Sequence, residues 1–112
     1  MRLEEQALLF DIQEACRLIR QFAGNRDYAN YATDALCRSA VERQFITVGE
    51  ALNRLGRLNP AFLERVPASR DIINFRNVLV HGYDRVEDAV VWGIIQKHLP
   101  ALLDTVEDLL MD

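Results

Sequence analysis

Residues 41–58, Val41-Glu42-Arg43-Gln44-Phe45-Ile46-Thr47-Val48-Gly49-Glu50-Ala51-Leu52-Asn53-Arg54-Leu55-Gly56-Arg57-Leu58, decide the fold class. Val41, Phe45, Val48, Leu52 and Leu55 alternate steps of four and three, which on a helix draws one continuous apolar seam. Such a seam packs against an antiparallel neighbour or against a partner chain. Asp27 is the expected N-cap, and with no proline before Pro60 the helix is predicted to run unbroken to Leu58. About thirty residues at 1.5 Å each span roughly 45 Å, more than the other helices would cover, and the surplus would suit oligomerisation. Gly49 costs about 1 kcal/mol relative to alanine inside a helix, so its place there predicts the close approach of another backbone. Glu50, Asn53 and Arg54 lie on adjacent faces, where ordinary ion pairing and a share in a site are both open readings.

Upstream, Leu8, Leu9, Ile12, Cys16, Ile19 and Ala23 predict an amphipathic helix over about residues 3–23, stopped near Gly24-Asn25. Downstream, Asn59-Pro60 interrupts the pattern, and Ala61–Val66 reads as one short helical turn closed by Pro67. Ser69 is the expected N-cap of a helix carrying Ile72, Ile73, Arg76, Leu79 and Val80, ended by Gly82 in a left-handed turn. A polar connection, Asp84–Asp88, leads to a helix with Val90, Val91, Ile94, Ile95 and Leu99. Pro100 then fits the first turn of a last helix through Leu102, Leu103, Val106, Leu109 and Leu110. Strand-type alternation is absent. The expected architecture is an all-α, up-and-down bundle of four to five helices with one long helix, a single domain over residues 1–112.

With 112 residues, half of them hydrophobic, the chain has room for one modest core. Its net charge of −4 argues against a surface that grips nucleic acid everywhere. The charge is unevenly spread: residues 1–52 carry six basic and eight acidic groups (−2), residues 53–85 six and three (+3), and residues 86–112 one and six (−5). Cys16 and Cys37 lack metal or redox spacing and read as buried thiols, a disulfide between them being the other option. The N-terminus turns acidic at once and no apolar run approaches membrane-spanning length, so the expectation is a soluble cytoplasmic protein.

The positive third contains Arg76-Asn77-Val78-Leu79-Val80-His81-Gly82-Tyr83. Arginine offers a permanent planar cation that suits phosphate, histidine titrates near neutral pH unaided, and asparagine can orient either. Arg76 and His81 are five residues apart, about 140° around a regular helix, so one helix cannot aim both at one small target. Two copies related by a two-fold axis could line one shared cleft with two of each. That set suits metal-independent RNA cleavage: one His81 takes the proton of a ribose 2′-OH, the other protonates the leaving oxygen, and Arg76 stabilises the phosphorane, with Asn77 in support. The plain alternative is a helix-end histidine on its dipole and an arginine paired with Asp71. Tyr83 reads as an aromatic packed beneath the helix end. His98 and the three aromatics Tyr28, Tyr31 and Trp92 read as structural.

The order Arg-x4-His-x-Tyr resembles the signature of the HepT-like toxins, a branch of the HEPN (higher eukaryotes and prokaryotes nucleotide-binding) helical domains. Val48–Leu55 and Val91–Pro100 are similar to the same family, in the same order and at similar spacing. Family members often carry an aromatic residue shortly before the motif, where this chain has Ser69-Arg70. The resemblance implies a HEPN-like bundle, a homodimer with its active site at the interface, and ribonuclease activity on RNA, the choice between a tRNA and a message being open, with Arg76 and His81 catalytic and no cofactor. It further implies a partner, an MntA-like minimal nucleotidyltransferase antitoxin, which silences the toxin by transferring AMP to Tyr83. The alternative is a non-catalytic nucleotide- or partner-binding subunit of a nucleotidyltransferase complex.

Overall fold

The computed structural model describes residues 1–111. Its helices are α1 (Leu3–Ala23), α2 (Tyr28–Thr33), α3 (Ala35–Leu58), α4 (Pro60–Arg65), α5 (Ser69–His81), α6 (Asp88–Lys97) and α7 (Leu99–Met111), with a 3-10 turn at Tyr83–Arg85. The described residues form no strand. α3 lies between α1 and α5, α7 packs on α1, and α2 joins α3 to α6. The predicted seam is the core: Val41, Phe45, Val48, Leu52 and Leu55 are fully buried, against Leu9, Ile12, Cys16 and Ile19 of α1. Arg2 ties the open end of α1 to α3, pairing with buried Glu5 at 2.7 Å and donating to the Leu58 carbonyl at 2.6 Å. That carbonyl is among the last of α3, which lack intrahelical partners.

The long second helix is two helices. Asp27 caps only α2, accepting from the Asn30 amide at 2.8 Å. The chain then extends at Asp34 (φ −111°, ψ 96°), whose carboxylate accepts from the Cys37 amide and pairs with Arg26 at 2.9 Å. A short acid that caps is more stable at a break than inside a helix. These bonds hold the Asp34 carboxyl below its ordinary range, the Cys37 amide contributing most. The 24 residues of α3 span about 36 Å and the 21 of α1 about 32 Å, so no long surplus projects from the bundle.

Two other expectations shift. Helix α5 does begin at Ser69, but its N-cap is Ala68 in the left-handed region (φ 57°). The Ser69 hydroxyl instead donates to the Leu63 carbonyl at 3.1 Å, fastening α5 to α4. Gly82 ends α5 at φ −127°, outside the left-handed region, and the chain tightens directly into the 3-10 turn. Cys16 and Cys37 are buried free thiols. Trp92 packs on Tyr31, ring centroids 5.4 Å apart, and on Tyr28 at 6.5 Å, closing the corner between α2 and α6. An ion pair from Arg38 to Asp88 braces the same corner.

Candidate functional site

The site begins where α5 crosses α3. A Cβ on Gly49 would lie 2.3 Å from the Arg76 Cβ and 3.3 Å from the Ile72 carbonyl oxygen, so the predicted close approach is real and only glycine permits it. Phe45 and Phe75 meet edge to face at 5.5 Å beside this crossing and fix its depth. Arg76 is thus held at its root, its side chain one-quarter exposed.

Its guanidinium is partly committed. Nη1 donates to Asn77 Oδ1 at 3.0 Å, Nη2 lies 3.7 Å from Glu50 Oε2, and Nε is buried with no hydrogen-bond partner. The second oxygen of Glu50 accepts from Arg54 at 3.2 Å, so one carboxylate links two arginines. Asp71, the sequence-based alternative partner, is not the one that Arg76 uses. Sequence reasoning placed Glu50 near the site without its role; the available signal was its position directly after Gly49.

Helix α5 stays α-helical through His81, so Arg76 and His81 remain about 140° apart around it. Between them lies a strip of Ile73, Asn77 and Val80. Ile73 is half-buried, Asn77 exposed and Val80 39% exposed, which leaves apolar surface flanked by the arginine on one side and the exposed histidine on the other. Tyr83 follows, 79% exposed. It is therefore not packed beneath the helix end, and its ring is presented to the surroundings. In one chain Arg76 and His81 do not converge. One cleft of about 360 Å³ lies away from both, between α4 and α5 around Leu63, Val66 and Ser69.

Two further perturbed groups, Glu42 and Tyr31, face Asp88 near the α2–α6 corner and are structural. Burial raises the Glu42 carboxyl, with Asp88 adding to it, and burial pushes the Tyr31 phenol above its usual range. His98 caps the end of α6. No cluster of three or more His, Cys, Asp or Glu that could hold a metal occurs among the described residues, and no helix is long and apolar enough to cross a membrane.

A family model described as Ribonuclease HepT-like matches residues 12–109, and the chain belongs to that ribonuclease family. The "Probable ribonuclease HepT" of Thermococcus cleftensis is 29% identical, over 97% of this chain and 98% of that protein. "Putative RNase MJ1380" of Methanocaldococcus jannaschii is 28% identical, over 91% of this chain and 93% of its own. No solved structure gives a significant match. Family membership and the all-α bundle expected from the sequence both stand.

Proposed function

We propose that this protein is the ribonuclease toxin of a toxin–antitoxin module, acting as a homodimer on RNA, with tRNA among the candidate substrates. The carrying observation is the exposed face of α5: an apolar strip, Ile73 and Val80, with Arg76 and His81 on its two flanks. Two such strips packed about a two-fold axis would bring each chain's Arg76 toward the partner subunit's His81. Family membership supplies the reaction class.

In that cleft one His81 accepts the proton of a ribose 2′-OH as its oxygen attacks the adjacent phosphorus. The bond to the 5′-oxygen breaks, and the partner subunit's His81, protonated, gives that oxygen its proton. The products are a 2′,3′-cyclic phosphate end and a 5′-hydroxyl end. Arg76 balances the extra charge of the phosphorane, and Asn77, already bonded to the guanidinium, fixes its orientation. The cycle needs no cofactor. Tyr83, exposed on the turn after His81, is the AMP acceptor for an MntA-like minimal nucleotidyltransferase antitoxin. The added phosphate beside Arg76 and His81 would compete for the charge that substrate needs.

The test is a cleavage assay on total RNA and tRNA with chelator present, comparing native protein, Arg76→Ala and His81→Ala at matched helicity. Cleavage that both variants abolish supports the reading. Equal cleavage by all three would mean a contaminant. No cleavage by native protein of confirmed unmodified mass would favour the binding subunit of a nucleotidyltransferase complex.

A further inference from the structure

Glu50 connects Arg76 to a feature outside the motif. Along α3, Arg43, Thr47, Glu50, Arg54 and Arg57 follow at steps of four, three, four and three, a single line on the helix face opposite the buried seam. The line is about 21 Å long at 1.5 Å per residue. Arg43, Arg54 and Arg57 are all exposed. Arg43 bonds only to the Thr47 hydroxyl, at 3.4 Å, and Arg57 has no carboxylate within ion-pair reach among the described residues. Glu50 is the one acid on the line, and its oxygens are already divided between Arg54 and Arg76. In a chain of net charge −4, Arg43, Arg54, Arg57 and Arg76 face three carboxylates, Glu50 and the α1 residues Glu4 and Asp11, which leaves a local balance of +1 that ends at the motif's arginine. Glu4 and Asp11 line clefts between α1 and α3 beside these arginines but form no ion pair with them, so the arginine heads stay open to a phosphate.

We infer that the outer face of α3 is a phosphate track for the RNA strand, a reading that rests on the ribonuclease function proposed above. Arg54, held beside Arg76 by Glu50, takes a phosphate neighbouring the one at Arg76. Arg43 lies on one side of Glu50 and Arg57 on the other, so the strand extends in both directions from the cut. Exposed arginines that meet phosphates position the strand and carry no base recognition.

The test measures binding of a short, fluorescent, mixed-sequence 2′-O-methyl RNA, in which the attacking hydroxyl is blocked. Native protein is compared with the double variant Arg43→Gln/Arg57→Gln and with a control, Arg20→Gln/Lys97→Gln, that removes the same charge from α1 and α6. Circular dichroism and a melting curve confirm that each is folded. The track variant is expected to bind on the order of tenfold more weakly. Its dependence of log affinity on log salt should be shallower by about 1.4, two contacts at about 0.7 each. The control should bind as native protein does. Native-like binding by the track variant, or equal weakening by the control, overturns the track. If native protein still cleaves unmodified RNA in that case, the ribonuclease reading survives alone. If native protein neither binds nor cleaves RNA, both fall. Intact RNA binding with loss of a co-purifying nucleotidyltransferase would assign this face to a protein partner and overturn the inference.

Discussion

The Cβ of Arg76 stands 2.3 Å from the place a Gly49 Cβ would occupy, so the arginine of the motif is seated on bare backbone of α3. Rotation of the Arg76 side chain cannot relieve a clash at its own Cβ. Gly49→Ala must therefore move α5 relative to α3. Overpacking of this kind costs about 1–3 kcal/mol, offset by about 1 kcal/mol of helix propensity. The expected outcome is a net loss of up to about 2 kcal/mol in urea unfolding, together with loss of RNA cleavage in the protein that remains folded. A variant more stable than native protein would show that the crossing has slack.

Tyr83 is expected to be dispensable for the fold. At 79% exposure, Tyr83→Phe should change stability by less than about 0.5 kcal/mol. If the proposed silencing holds, co-expression with an MntA-like nucleotidyltransferase should add the mass of AMP to native protein and not to Tyr83→Phe, whose ribonuclease activity should stay unsilenced. Modification persisting on the variant would place the acceptor elsewhere.

Ala68 holds a left-handed conformation (φ 57°) at the start of α5, which costs an alanine about 1–2 kcal/mol relative to a right-handed residue. Glycine adopts it freely but loses more entropy on folding. Ala68→Gly is therefore expected to raise stability modestly, by about 0.5–1 kcal/mol, read as a higher urea midpoint at unchanged slope. A lower midpoint would show that the Ala68 methyl contributes more by packing than its backbone costs.

Burial pushes the Cys16 thiol from about 9 up to about 12, with Arg20 opposing this. Below pH 9 the thiol is neutral in both states and stability is indifferent to it. Above that, the unfolded chain releases the proton while the folded chain keeps it, so stability falls between about pH 9 and 12, by as much as about 4 kcal/mol. Tyr31, raised by burial in the same direction, adds to the fall. Urea midpoints should agree at about pH 7 and 8 and drop by about pH 10.5, with a smaller drop for Cys16→Ala. An unchanged midpoint in alkali would contradict the burial of the thiol.

How far the sequence reaches depends on whether a signal is local. The seam of α3, the limits of α1 and the end of α5 at Gly82 are written in the spacing of neighbouring residues and appear as expected. Asp34 carries no such signal, because an acid inside a predicted helix looks like any solvated charge; only its bonds to the Cys37 amide and Arg26 make it a break. Ser69 has the position of a cap, yet its hydroxyl serves α4. At the site, Gly49 announced a close neighbour but could not say that the neighbour is Arg76. The Glu50 link and the strip between Arg76 and His81 depend on how α5 is rolled against α3, a relation between distant segments that no local pattern carries.

The corner of Tyr31 and Trp92 has a practical consequence for anyone studying this protein in solution. Trp92 is the chain's only tryptophan, and it lies within energy-transfer and quenching range of two tyrosines that arrive on a different helix. Intrinsic emission therefore watches one joint, α2 against α6, whereas far-ultraviolet circular dichroism averages over the whole bundle. If the two signals change together on denaturation, that joint melts with the core as one cooperative unit; if emission changes first, the corner opens on its own before the rest gives way.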